Sequence, residues 1–383
     1  MRPALGFLAF VITFLAINRL IVAHVPLPPE AGMRTKTEFF LDHPDEYDAI
    51  WIGSSATLYG LRPNVFSTEL ASLGHPGFRV YNLGIGGMGS FETLSVLRRV
   101  LSAHPKRLKW VFYEEPIFDA LLWYPDIVNQ RYIQWHDVRN TVDAIDALRY
   151  ARQPPDYKAE EYQRFALAGG DGEWRRGAAA EHVELGLRRE FGVGQGPRIY
   201  ERLVAGEDAW PTPAAIAETD GWMDISMDPA PGAKKAHDEF IAQPGRWNSR
   251  VQNMIRQETA RPEPEGNYDL DSLRELISDI RAAGAEPIMY CPPRGLASTM
   301  MMSLADRGEI PTLFPFHITT EFPELLPREL HYDEGHLTPE GAATWSRTFA
   351  RRFAQHLKTV ETSAPPSTGQ ATTVDPKAEK DQD

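Results

Sequence analysis

Gly53, Ser54 and Ser55 follow the apolar run Ala49–Ile52 in the stretch AIWIGSSATLYG. A serine held at the end of a strand is a candidate nucleophile. Its hydroxyl is weak until a base within hydrogen-bond reach takes its proton, and that base needs an acid to orient it. Both partners stand together far downstream in YDEGHLTPEG, where Asp333 and His336 are three residues apart on a loop entering a helix. At that spacing both side chains can turn toward one site, with the carboxylate setting the imidazole tautomer. Between these blocks lies NLGIGGMG, whose glycines around Gly87 let backbone N–H groups approach a developing oxyanion. Nucleophile, base, orienting acid and oxyanion donors together form a kit for acyl transfer.

These residues need a frame that brings three distant blocks to one edge. Short apolar runs suited to buried strands (YDAIWIG, FRVYNLGI, LKWVFYEEP, AEPIMYCPP) alternate with helical patterns. In RPNVFSTELASLG, Pro63 suits a first helical position and Gly74 an end. In the last helix, TPEGAATWSRTFARRFAQHL, Thr338 is the cap, Pro339 the first residue, and Trp345, Phe349, Phe353 and Leu357 the buried stripe. The β-α-β-α-β order predicts an α/β fold: a parallel sheet of five strands with helices on both faces. Such sheets bind ligands beyond the carboxyl ends of their strands, where the three blocks fall. The alternation fails between residues 119 and 267, which read as a helical insertion forming a cap beside the site. Residues 47–118 and 268–358 make the two parts of the α/β domain.

The three blocks resemble the SGNH (GDSL-type) hydrolase superfamily over roughly Asp48 to Pro116 and Asp269 to Leu357, with the insertion outside the resemblance. The resemblance implies a three-layer α/β/α, flavodoxin-like domain that works without a cofactor or metal. It implies Ser55 as nucleophile, with Ser54 in the place of the family's usual Asp. It also implies backbone N–H groups of Ser55 and Gly87 as oxyanion donors, His336 as base and Asp333 as its orienter. One block departs from the pattern. The family usually has Gly-x-Asn-Asp after the third strand, with the Asn as an oxyanion donor; here the strand ends in Glu114, Glu115 and Pro116. An ionised carboxylate cannot donate a hydrogen bond. The departure fits a membrane-anchored branch resembling alginate O-acetyltransferases and the teichoic-acid D-alanylation protein. That branch implies an O-acyltransferase or esterase acting on an acylated glycan of the cell envelope, with a multi-pass membrane O-acyltransferase as a partner. The alternative is an envelope binding or assembly protein that keeps the fold without turnover.

Composition narrows the remaining classes. The chain has 383 residues, 42% hydrophobic, and a net charge of −13, which argues against a nucleic-acid partner. Its single cysteine, Cys291, excludes a disulfide framework and reads as buried and inert. Residues 1–24 are strongly apolar, interrupted by Asn18 and Arg19, and read as a signal anchor. A cleaved signal peptide also fits, but Ile21 makes a poor cleavage site. The domain is therefore expected outside the cytoplasm, periplasmic or on the outer face of the plasma membrane. Residues 25–46 read as a linker and 359–383 as a disordered tail. Asp42–Asp48 reads as a solvated loop with no metal-ligand spacing. Arg294, after a strand end, is a candidate for holding an anionic substrate, and Glu115 a second candidate substrate contact. The aromatics of LLWYPDIVNQRYIQWHD read as packing for the insertion.

Overall fold

The computed structural model describes residues 2–24, 32–115, 130–148, 173–191, 211–229, 231–261, 268–294 and 299–363. Five strands, β1 (Ala49–Gly53), β2 (Val80–Gly84), β3 (Trp110–Glu114), β4 (Glu286–Cys291) and β5 (Leu313–Pro315), pair in parallel in the order β2-β1-β3-β4-β5. This is the order of flavodoxin-like doubly wound folds. The chain runs from β1 outward to β2, then returns to the other side of β1 for β3. The connections therefore diverge at the carboxyl end of β1, and a crevice opens there.

Strand side chains alternate between two cores because successive residues point to opposite faces. Ile50, Ile52, Val111, Tyr113 and Met289 face one core, closed by α5 (Ser90–Ser102), α12 (Tyr268–Ala282) and α13 (Thr299–Asp306) through Leu97, Val100, Leu273, Ile280 and Leu304. Ala49, Trp51, Phe112 and Tyr290 face the other, closed by α4 (Pro63–Ser72) and α14 (Pro339–Ser363) through Phe66, Leu70, Phe349 and Phe353. The caps fall where the sequence places them. Pro63 opens α4, and the Thr338 hydroxyl accepts from the Gly341 N–H at 3.2 Å at the start of α14.

Several expectations are corrected. The stretch 25–46 is not simply a linker, because it contains α2 (Met33–Asp42), with Met33, Lys36, Thr37 and Phe40 buried. The i, i+4, i+7 spacing of Met33, Thr37 and Phe40 was the readable sign. Asp48 is not solvated. It is 6% exposed, accepts from Arg107 at 2.7 and 3.0 Å, and accepts from the Arg79 backbone N–H at 2.9 Å. The N-terminal segment forms α1 (Arg2–His24), but among the described residues no helix is long and apolar enough to cross a membrane. Asn18 and Arg19 interrupt its apolar run, and Arg19 pairs with Glu190 at 2.7 Å instead of standing alone. Residues 25–31 of the expected linker and 364–383 of the expected tail lie outside the described residues. The segment 359–363 continues α14.

Among the described residues the insertion carries α6 (Gln130–Trp135), α7 (Val138–Ala147), α8 (Glu173–Phe191), α9 (Pro213–Thr219), α10 (Pro231–Ala242) and α11 (Pro244–Gln257), with a short 3-10 turn at Ile225–Met227 and no strand. It divides in two. The helices α6 and α7 each pack against α8 and against α5. The later part, from α9 to α11, borders the carboxyl end of β1, as the residues below show. Of the aromatic stretch from Leu121, residues 121–129 lie outside the described set, while Ile133 and Trp135 are buried, in keeping with packing.

Candidate active site

β1 ends at Gly53, and the chain turns directly into α3 (Ser55–Gly60). Gly53 has no room for a side chain: a Cβ there would strike the Glu114 carboxylate and the Thr57 hydroxyl. Ser54 caps α3, its Oγ accepting from the Ala56 N–H at 3.3 Å. Ser55 is the first helical residue, so its N–H is one of those a helix leaves without an internal acceptor. A second clamp acts from β2. The buried Asn82 amide donates to the carbonyls of Thr57 (2.8 Å) and Leu61 (2.7 Å), and its oxygen accepts from the Gly84 N–H at 2.8 Å. Asn82 thereby ties α3 to the strand that leads into Gly86 and Gly87. Lys36 of α2 donates to the Gly84 carbonyl at 2.5 Å, and its complete burial pushes the amine well below its usual value.

The catalytic candidates meet at this turn. Ser55 Oγ lies 2.8 Å from His336 Nε2. His336 Nδ1 lies 2.9 Å from each Asp333 carboxylate oxygen. A carboxylate only accepts, so Nδ1 carries the proton and Nε2 is left to accept from the serine. Asp333 Oδ1 also accepts from the Gly335 N–H at 2.7 Å and the His336 N–H at 3.0 Å. Burial alone would raise the Asp333 carboxyl, but the His336 ring and these two amides hold it below its usual value. Gly87 has φ of 65°, a left-handed conformation open to glycine. Gly86 and Gly87 line the same cavity as Ser55, Asp333 and His336.

That cavity has a volume of about 590 Å³. Its far wall comes from the insertion: Ile225, Asp228 and Pro229, then Gly232, Ala233 and Ala236 of α10. The later part of the insertion thus lies beside Ser55 and His336. It also grips the loop that carries Asp333 and His336. Arg246 and Arg250 of α11 both reach Glu334 at 2.5 Å, and the His237 ring contacts the Tyr332 carbonyl at 2.7 Å.

The third block lies beneath the site, not in it. Glu114 is 4% exposed and accepts from the Ser54 N–H (2.8 Å), the Ser54 hydroxyl (2.7 Å) and the Thr57 hydroxyl (2.5 Å). Tyr290 OH stands 2.5 Å behind Thr57 Oγ1. Arg294 supplies the positive charge, 3.4 Å from Glu114 and 2.8 Å from Glu115. The expected substrate roles of Arg294 and Glu115 are therefore corrected. The two are paired in a half-buried position, and neither lines the cavity. Cys291 is buried, as expected.

Two cavity residues escaped the sequence reading. Tyr59 stands edge-on to the His336 ring, centroids 5.5 Å apart, and donates to Asp228 at 2.5 Å. Burial and Asp228 both push its phenol upward. Tyr59 is one helical turn beyond Ser55, a spacing that could have flagged it. Asp228 sits in an insertion with no pattern to mark it.

The loop that carries Asp333 and His336 rests on a neutral histidine. His331 is 3% exposed, contacts the Leu325 carbonyl through Nε2 at 2.9 Å and lies tilted against the Trp247 ring, centroids 4.0 Å apart. Burial lowers its pKa to about 4, and burial does the same to His136 in the insertion. Unfolded, both histidines would take up a proton near their ordinary value of 6.5. Between pH 6.5 and 4 the unfolded chain therefore binds more protons, and stability falls as pH falls. Each contributes up to about 3 kcal/mol across that window. Below about pH 3.8 the loss of the ionised Asp333 adds to this, since its folded value is depressed. The melting temperature is expected to drop between pH 6.5 and 4, and His331→Phe is expected to shrink that drop by about half, leaving the share of His136. A flat profile in the native protein would contradict the buried-neutral assignment.

Comparison of the sequence with protein-family models and with curated proteins finds no match. The class therefore rests on the fold and the site: a doubly wound α/β protein with a serine, a histidine and an aspartate in hydrogen-bond series at the carboxyl end of β1.

Proposed function

We propose that this protein is a serine acyl-transfer enzyme of the SGNH type, an O-acyltransferase or esterase acting on a cell-envelope glycan through an acyl-Ser55 intermediate. The observation that carries the reading is the Ser55–His336–Asp333 series, 2.8 and 2.9 Å long, opening into a cavity. Ser55 Oγ attacks the ester carbonyl carbon as its proton passes to His336 Nε2. The tetrahedral oxyanion forms beside Gly87, where the backbone N–H groups of Ser55 and Gly87 supply the stabilising donors. Collapse breaks the bond to the leaving alkoxide, which takes the proton from His336. A water or sugar hydroxyl then attacks the acyl carbon, gives its proton to His336 and frees Ser55. Asp333 holds the ring's tautomer throughout. No step calls for a metal or cofactor.

Several features support a role at the envelope. The side chains of Leu5, Phe7, Leu8, Phe10 and Ile12 on α1 are all more than half exposed, which suits anchoring in lipid. An extracytoplasmic α/β domain belongs to the same proposal; it rests on the apolar N-terminal sequence, and cell fractionation tests it. The insertion supplies the far wall of the cavity, which offers an acceptor sugar a surface to bind beside Ser55 and inclines the reading toward transfer.

The decisive experiment is labelling with a fluorophosphonate, which reacts only with an activated serine. Labelling of the native protein and none of Ser55→Ala is expected. Release from p-nitrophenyl acetate, with and without an oligosaccharide acceptor, then separates the two activities. Release that is fast and indifferent to acceptor marks an esterase. Absence of any Ser55-dependent labelling or release would establish the non-catalytic binding protein instead.

A further inference from the structure

The early half of the insertion carries an apolar surface that the proposed catalytic chemistry does not use. On the inner faces of α7 and α8, Ala144, Ala147, Ala178 and Leu185 are buried. A contact of 2.9 Å between His136 Nε2 and His182 Nδ1 adds to this packing. Their outer faces are apolar as well. Val138 and Val142 on α7 are 68% and 52% exposed, and Val183 and Leu187 on α8 are 44% and 49% exposed. Members of each pair are four residues apart, so each pair makes a stripe along one face. The stripes border a groove of about 650 Å³ whose other wall is α1, through Leu15 and Ala16. The Arg19–Glu190 pair also borders it.

We propose that the α7–α8 face rests in the outer part of a lipid bilayer, with its stripes among the acyl chains beside the point where α1 enters. The proposal builds on the membrane reading of α1 given above. Three observations favour lipid as the occupant. First, the apolar surface is continuous: the groove joins these stripes to the later part of α1, while the earlier part, with Leu5, Phe7, Leu8 and Phe10 exposed, extends it. Second, the stripes are purely aliphatic. A protein partner is usually gripped by aromatic or arginine anchors in pockets, whereas fluid acyl chains need only apolar area. Third, the remaining exposed large apolar side chains among the described residues, Met227, Ile241, Ile255 and Val360, each lie on a different element, whereas a contiguous exposed apolar patch marks an interaction site. A second contact of this kind would fix the orientation of the domain on the bilayer, which one tether does not.

Cys291 is the chain's single cysteine and is buried, so introduced cysteines can be labelled selectively. The full-length protein would be labelled with an environment-sensitive fluorophore in three variants: Leu8→Cys on α1, Val142→Cys and Leu187→Cys. A fourth label at the exposed Thr68 of α4 serves as the reference. Each is reconstituted into phosphatidylcholine vesicles containing a quarter phosphatidylglycerol and read by quenching from doxyl-labelled lipid. The expected result is loss of at least half the emission at Leu8, Val142 and Leu187, with Thr68 unchanged. Quenching at Leu8 alone would overturn the docking face while leaving α1 as the anchor, and would assign the stripes to a protein partner. Quenching at none of them would overturn the anchor and the docking face together. Unchanged melting temperatures of the labelled variants establish that each is folded.

Discussion

Ser55→Ala is expected to lower kcat for ester cleavage by on the order of 10⁵–10⁶-fold, and His336→Ala by a similar factor. The double variant is expected to be no worse than either single one. The reason lies in the geometry. With His336 Nε2 at 2.8 Å from Ser55 Oγ, the two act as one unit: the serine is inert without its base, and the base has no proton to take without the serine. Asp333→Ala should cost less, roughly 10⁴-fold, because the ring keeps its place but loses the bond that sets its tautomer. Steady-state kinetics on p-nitrophenyl acetate, read with fluorophosphonate labelling, would measure all four. Losses that simply add, or an intact rate in Ser55→Ala, would remove the covalent mechanism.

Glu114→Ala is expected to be the most destabilising single change near the site, by about 3–5 kcal/mol. The substitution leaves the Ser54 N–H and the hydroxyls of Ser54 and Thr57 without their acceptor, and it strips Arg294 of one of two counter-charges. Those groups are part-buried or buried, so the cost is that of unsatisfied donors and not of a lost surface pair. Because Ser54 immediately precedes Ser55, the proposed nucleophile, kcat should fall with the stability while KM changes little. Glu114→Gln is expected to fall between the native protein and the alanine variant. Its carboxamide keeps one acceptor oxygen but turns an NH₂ toward donors. Urea unfolding measures the first effect and kinetics on the folded fraction the second. If Glu114→Ala melts with the native protein, the carboxylate is not what holds the nucleophile turn.

The departure at YEEP shows where sequence reading stopped short. At the sequence level two carboxylates after β3 look like an obstacle to an oxyanion site, and Arg294 looks like a substrate contact. In the structure the carboxylate of Glu114 turns under the site, and Arg294 compensates it. The donors to Glu114 come from residues 57 and 60 positions earlier in the chain, and Arg294 from 180 positions later. No local pattern records that convergence. Lys36 is a similar case: a lysine at the fourth position of an amphipathic helix reads as exposed, and only packing against β2 buries it.

What the sequence by itself determined is what depends on neighbours a few residues apart. The alternation of strands and helices, the Pro63 and Thr338 helix starts, the sharp turn at Gly53-Ser54-Ser55 and the mutual reach of Asp333 and His336 are of this kind. Backbone geometry and short-range hydrogen bonds decide them. The tertiary structure decided the pairing of Ser55 with His336 across 281 positions. It rests on the register Gly53↔Gly84 and Ile52↔Tyr113, which aligns the strand ends at one edge, and on α14 packing against α3 and α4. The division of the insertion also needed the fold, because helices of similar composition went to opposite tasks: α10 and α11 to the cavity and its loop, α7 and α8 to an exposed face. Burial assigned those tasks, and burial is a property of the assembled chain, set by which surfaces meet and not by which residues adjoin.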